Sequence, residues 1–445
     1  MFRKMWCAAA LAAAMLPAHA QDAQREEVRK LQQRVDELDK RVQDAENAAA
    51  QAQAQASSRP QRESALNPAV SVILNGVYGN FSRDPNTYRL NGFVPTLGEV
   101  SPGVRGFSLG ESELAFMANV DHVFRGVLIA SITPEDTIGV EEGYIQTLAL
   151  SNGLTMKAGR FFSAIGYQNQ VHAHAWDFTD MSLAGKVFLG NQLNEDGVQL
   201  KWVAPTPIYL DFGVELGRGR PFPGTEPNKN GWGSQNFFGH VGGDLGTGYA
   251  YQVGLSHYRT SPQDRQYSDT DSSGTDVTNS FSGNSRLWVV DGILKWAPDR
   301  NPTYYNFKLQ GEYFRRNEDG NLTYDTTASS LGTMTSSYQS RQSGWYLQGV
   351  WQFNPLWRVG YRFDRLNSGT TSIGLVDSGA LTAADFPILN PYNPHRHTAM
   401  IDWNPSEFSR IRLQVARDYS RQGEPDNQIF LQYIVSLGAH GAHKF

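Results

Sequence analysis

The chain has 445 residues, with 39 Lys and Arg against 44 Asp and Glu, and its formal charge of −5 argues against nucleic acid as a partner. Its single cysteine excludes a disulfide framework and a multi-thiolate metal site. No later stretch approaches the ~18 consecutive apolar residues of a membrane helix. That excludes a helical membrane protein but not a β-barrel, whose lipid-facing residues occupy alternate positions.

Residues 1–20 read as a cleavable signal peptide: Arg3 and Lys4, an apolar stretch from Met5 to Leu16, then Pro17 and the small-x-small site Ala18-His19-Ala20. Cleavage before Gln21 removes Cys7, which stands before the apolar stretch and is wrongly placed for lipid attachment. Residues 21–57 contain no Gly or Pro, and Val28, Leu31, Val35, Leu38, Val42, Ala45, Ala49, Ala52 and Ala56 fall at alternating spacings of three and four. The spacing predicts a short coiled-coil helix on the periplasmic side, with a lone solvated helix as the simpler alternative. Residues 58–68, with Pro60 and Pro68, form a linker, and residues 69–445 the barrel.

From Val70 onward, alternation of apolar and polar residues predicts sixteen strands. They run over 70–81, 106–119, 122–133, 139–150, 153–162, 195–204, 207–217, 235–245, 248–258, 285–297, 303–315, 342–353, 356–366, 396–404, 408–418 and 427–438. An even count suits a bacterial barrel with both ends in the periplasm. The connections alternate in length. Short ones such as Ser151-Asn152-Gly153 and Asn404-Pro405-Ser406 carry good turn chemistry and are expected at the periplasmic rim. Mostly long polar ones (82–105, 134–138, 163–194, 218–234, 259–284, 316–341, 367–395 and 419–426) are expected outside. The predicted fold is all-β, a 16-stranded antiparallel transmembrane barrel behind an N-terminal helix. Outer-membrane lipids are its solvent, and the terminal Phe445 is the expected handle for the barrel-assembly machinery.

Parity within strands separates a lipid face from a lumen face. Trp345, Leu347, Trp351, Trp357, Tyr361, Leu413 and Val415 share one parity, and Gln348, Arg358, Arg362, Arg410, Arg412 and Gln414 the other, which predicts a polar lumen. Late strands supply Lys308, Arg358, Arg362, Arg410 and Arg412 as pore-lining candidates; early strands supply Glu111, Glu113, Asp211 and Glu215. Facing arcs of opposite sign would orient charged solutes, unless the groups only pair with their neighbours, as Glu312 near Lys308 and Asp364 near Arg362 suggest.

The third long connection, 163–194, is rich in aromatic and aliphatic residues, which favours an inward-packed loop that narrows the pore. Within it, His172, His174 and Asp177 have residue types suited to zinc, with Asp180, Glu195 or Asp196 able to complete a site. Hydrogen-bonded loop histidines are the plainer reading of the same pair. His395 and His397, and His440 and His443, read as interface or anchor residues. Gly106-Phe-Ser-Leu-Gly110 spells a hydrolase pattern but lies inside a strand, without the strand-to-helix elbow it needs, and no enzyme is expected.

Lys157-Ala-Gly-Arg-Phe-Phe162, His172-Ala-His-Ala-Trp-Asp-Phe178, Asn306-Phe-Lys-Leu-Gln-Gly-Glu-Tyr-Phe-Arg-Arg316, Pro405-Ser-Glu-Phe-Ser-Arg410 and the Leu437–Phe445 ending resemble a proteobacterial outer-membrane family often labelled zinc-regulated TonB-dependent receptor. More distantly, the helical lead, the strand count and Gly159-Arg-Phe161 are similar to trimeric phosphate-selective porins. Both resemblances imply an outer-membrane transport barrel, and the second a homotrimer. A TonB-dependent receptor would need a 22-strand barrel and a plug, whereas residues 21–68 are helical and linker-like. The expected function is therefore a porin-like channel for small hydrophilic solutes. Its alternatives are an uptake receptor for zinc or a metal complex, and a tether to the cell wall through the helix.

Overall fold

The computed structural model describes residues 68–96, 100–133, 137–225 and 230–438. The predicted signal peptide, coiled coil, most of the linker, His440, His443 and Phe445 lie outside the described residues.

Sixteen antiparallel strands close into a barrel. They are β1 (Ala69–Phe81), β2 (Gly106–Leu109 continued by Ser112–Asn119), β3 (Phe124–Ile132), β4 (Ile138–Thr147), β5 (Leu154–Phe162), β6 (Asn194–Val203), β7 (Tyr209–Gly217) and β8 (Ser234–Leu245). There follow β9 (Tyr249–Thr260), β10 (Asp276–Trp296), β11 (Asn306–Tyr324), β12 (Met334–Asn354), β13 (Trp357–Ile373), β14 (His395–Ser406), β15 (Ser409–Asp418) and β16 (Asp426–Gly438). A further short strand, Arg265–Thr270, pairs only with the outer end of β10. The last strand seals the first, from Ser71 opposite Gly438 to Phe81 opposite Gln428, so no edge is left unpaired in lipid.

The short rim turns have the chemistry their residues suggested. Asp121 Oδ1 accepts from the N–H groups of Val123 and Phe124 at 2.7 and 2.8 Å, a side chain closing its own turn. Asn152 and Gly153 both have positive φ, 62° and 76°, as a two-residue hairpin requires, and a Cβ on Gly153 would collide with the Val203 carbonyl oxygen.

The outside is an apolar band. Leu347, Leu413, Val415, Ile429 and Leu431 are exposed on it, and Trp351, Trp357, Trp403, Tyr433 and Phe408 gather toward the short-turn rim, where amphipathic rings suit the membrane interface. An arginine at Leu413 should cost about 2–4 kcal/mol near the bilayer centre. Urea unfolding in lipid vesicles should register that loss for Leu413→Arg.

Two expectations are corrected. The segments 259–284 and 316–341 are largely strand, because β10, β11 and β12 continue as a tall pleated wall beyond the membrane band, whereas in 367–395 β13 extends only to Ile373 and short helical turns and loop follow. The lumen is also not uniformly polar. Tyr258, Leu287, Val289, Phe314, Tyr346 and Leu366 point inward and pack on Phe93 and on helix α1 (Leu183–Leu189) of the third loop, forming an apolar core inside the barrel. Alternation distinguishes two faces but does not say which is wet. Here the inward face at that level is dry because a helix fills it.

Candidate functional site in the barrel lumen

The connection between β5 and β6, residues 163–193, folds into the lumen, and side chains of the wall fix it along its length. At its entry, Ser163 Oγ donates to Glu215 Oε2 at 2.5 Å and the Ala164 N–H to Glu215 Oε1 at 2.8 Å. Asn169 ties the two ends of the loop: its Nδ2 donates to the carbonyls of Ser163 and Leu193, and its Oδ1 accepts from the Leu193 N–H at 2.7 Å. Helix α1 is short but fully specified. The Ser182 hydroxyl caps the Gly185 N–H at 3.2 Å, and Gly190 ends the helix at φ 67°.

Between these anchors the loop presents basic groups to an acidic wall and acidic groups to a basic wall. His172 Nε2 lies 3.1 Å from Glu142 Oε2, and its Nδ1 lies 3.2 Å from Glu141 Oε2 and 3.3 Å from Glu113 Oε2. His174 Nδ1 lies 2.6 Å from the other oxygen of Glu113, and the two rings stack with centroids 5.7 Å apart. Burial works against the charge of His172, but its bonds to Glu113, Glu141 and Glu142 outweigh that and hold its pKa well above the ordinary value. Consecutive glutamates both face inward because β4 carries a bulge: Ile129 opposes Glu142, whereas Ala130 opposes Val140.

On the other side Asp177 meets Lys308 in a short ion pair, accepts from Gln348 Nε2 at 3.0 Å and lies 3.5 Å from Arg358. Asp180 sits among Arg396, Lys186 at 3.2 Å and Arg362 at 3.2 Å. Burial alone would raise the Asp180 pKa; Arg396, Lys186 and Arg362 hold it well below the usual carboxylate range. The carbonyl of Trp176 accepts from Arg412 at 2.9 Å and Arg410 at 3.2 Å, while Asp402 neutralises Arg412 and Arg358.

All the named wall charges thus lie on lumen strands or at the β2 break, but in different states. Arg362, Arg412, Glu113, Asp211 and Glu215 are buried against the loop or neighbouring strands, whereas the side chains of Lys308, Arg358 and Arg410 remain 23%, 19% and 21% exposed. Glu111 stands at the break in β2, half-buried. The expected metal set is not assembled: Asp177 faces cations on the opposite wall from His172 and His174, Asp180 faces Arg362 and Arg396, Asp196 pairs with Arg160, and Glu195 accepts from Tyr258 and Ser234. The carboxylates near His172 are Glu113 and Glu141, a donor set with the types a divalent ion accepts, with Glu142 at the other ring nitrogen. Sequence reasoning missed Glu141 and Glu142; two adjacent acids interrupting strand alternation were the available signal. His397 Nδ1 meets Tyr361 OH at 2.6 Å on the outer face, and His395 stacks on Tyr419, so both act as packing and anchor groups.

No protein-family model matches the chain. A protein of Aquifex aeolicus strain VF5 described as uncharacterized is 29% identical over 425 residues, covering 87% of this chain and 81% of that one. Two structures of OmpT, an outer membrane protein of Vibrio cholerae, align at TM-score 0.50. The loop L8 deletion mutant is 10% identical and the in vitro folded form 8%; each covers 83% of this chain, and 99% and 97% of the respective structures. The chain has an outer-membrane barrel fold. With sixteen strands it lacks the architecture of a 22-strand plugged receptor, so the receptor part of the family label is not carried by the fold.

Proposed function

We propose that the protein is a porin-like channel of the bacterial outer membrane through which small hydrophilic solutes diffuse passively, and that the loop 163–193 sets its bore. The observation that carries this reading is the loop itself, seated inside a closed sixteen-strand barrel and bonded to both charged walls. Such a fill makes a narrow path. Lys308, Arg358 and Arg410, part-exposed toward the lumen, give that path a preference for anionic solutes over cationic ones. Association as a trimer belongs to the same reading and is checked by native mass in detergent.

Planar-bilayer recording of the purified protein tests the function. Small, stable conductance steps are expected, with a reversal potential in a salt gradient displaced toward anion preference. A barrel that inserts and shows no conductance would overturn the channel reading. A cation-preferring pore would overturn only the selectivity.

A further inference from the structure

The register of the sheet lays one row of residues side by side on the lumen face. Asp211 on β7 opposes His240 on β8, His240 opposes Gly254 on β9, Gly254 opposes Asp291 on β10, and Asp291 opposes Glu312 on β11. Directly opposed residues lie about 5 Å apart and point to the same face. The one member of the row without a side chain therefore stands between an imidazole and a carboxylate. Both lean over it: a Cβ on Gly254 would collide with Asp291 Oδ2 and His240 Cδ2.

The polar atoms around this slot are unusual in being unused. Asp291 is 2% exposed, and neither of its carboxylate oxygens has a hydrogen-bond partner. His240 is 5% exposed; its Nδ1 lies 2.7 Å from Asp211 Oδ1, whereas its Nε2 has no partner. An imidazole bonded to a carboxylate through Nδ1–H keeps its lone pair on Nε2, which is the metal-ligating form, and the carboxylate also fixes the ring's orientation. Asp211 is held in turn by Tyr209 OH at 2.6 Å and Lys201 at 2.8 Å. Gln168 of the third loop, whose N–H donates to Glu312 Oε1 at 2.6 Å, carries one more buried, unpartnered oxygen.

Buried electron-pair donors with no hydrogen to accept are costly, and a cation removes the cost. We propose that His240 Nε2 and Asp291 bind a divalent transition-metal cation over Gly254, with Asp211 as the orienting carboxylate. A nitrogen and carboxylate donor set suits zinc or cobalt(II) better than calcium or magnesium, which favour oxygen alone. A cavity of about 480 Å³, lined by Lys201, Tyr209, Asp211, His240 and Gln252, lies on the His240 side of the slot. The His172 cluster differs, since each of its ring nitrogens facing a glutamate already lies against it.

Cobalt(II) titrated into the folded barrel in detergent, followed by its visible absorption, tests the site, with heat-modifiable mobility as the check of folding. One cobalt per chain that depends on the slot is expected, with Asp291→Asn and Gly254→Ala each weakening it at least ~10-fold and His397→Gln, on the outer face, leaving it unchanged. Asp291→Asn preserves the residue's shape, so a folding failure of Gly254→Ala does not remove the test. Absence of saturable binding, or unchanged affinity in Asp291→Asn, overturns the proposal. Binding is read without any current, so the result stands apart from whether the barrel conducts.

Discussion

Replacing Asp180 with alanine will open the pore and weaken the barrel at once. Asp180 is the one carboxylate of the third loop that faces Arg362, Arg396 and Lys186 together, and it also accepts from Gln414 Nε2 at 3.1 Å. The guanidinium groups of Arg362 and Arg396 are fully buried, and Asp364 and Asp418 remain as their only other carboxylate partners among the described residues. Removing one partner of a buried ion pair typically costs 3–5 kcal/mol, about the same here, because the remaining charge stays out of water. The cationic wall would then repel Lys186 of α1, and the flanking turn would keep the bonds from Arg362 to the Asp180 and Met181 carbonyls. Single-channel conductance should rise several-fold over wild type, and the unfolding midpoint in denaturant should fall. A lower midpoint with unchanged conductance would show that Asp180 supports the fold without setting the bore.

Raising the pH will release the same loop from the opposite wall. His172 has its folded pKa raised above its unfolded value, so the stability it contributes is complete below about pH 6.5 and is lost as pH climbs through the folded value. Each pH unit in that window is worth about 1.4 kcal/mol of latch. Once His172 is neutral, Glu113, Glu141 and Glu142 face one another with less compensation, and the loop segment near His174 should move away from β2 and β4. Conductance should therefore increase on the alkaline side of neutrality and be nearly pH-independent over the same range in His172→Gln. Identical pH profiles for the two proteins would remove His172 from the account.

The barrel was legible in the residues because its solvent demands it. A strand with lipid on one side and a lumen on the other must alternate, and sixteen such runs separated by turns like Ser151-Asn152-Gly153 appear in order, although the outer ends of β10 to β13 extend seven to nine residues past the predicted ones. The third loop was legible from its aromatic content. Its contacts were not. Glu141 reaches His172 only because a bulge turns two successive β4 side chains inward, and a bulge is a one-residue irregularity that periodicity averages away. Asp177 stands three residues from His174, yet the chain between them crosses from the acidic wall to the basic one, so sequence proximity suggested a shared site that the fold separates.

What the sequence by itself determined is therefore the sheet: its strand count, its two faces, its turns and the sign of charge on each arc, all set by local alternation and turn chemistry. What only the tertiary structure decided is the inside of the barrel. Whether Leu287 and Val289 face water or a helix, and whether Arg362 guides a solute or clamps a loop, depends on where residues 163–193 come to rest. The row from Asp211 to Glu312 is the clearest case. Its members are spread over five strands and meet through register alone, because side-by-side pairing in a closed sheet is a global property that no local window of sequence contains.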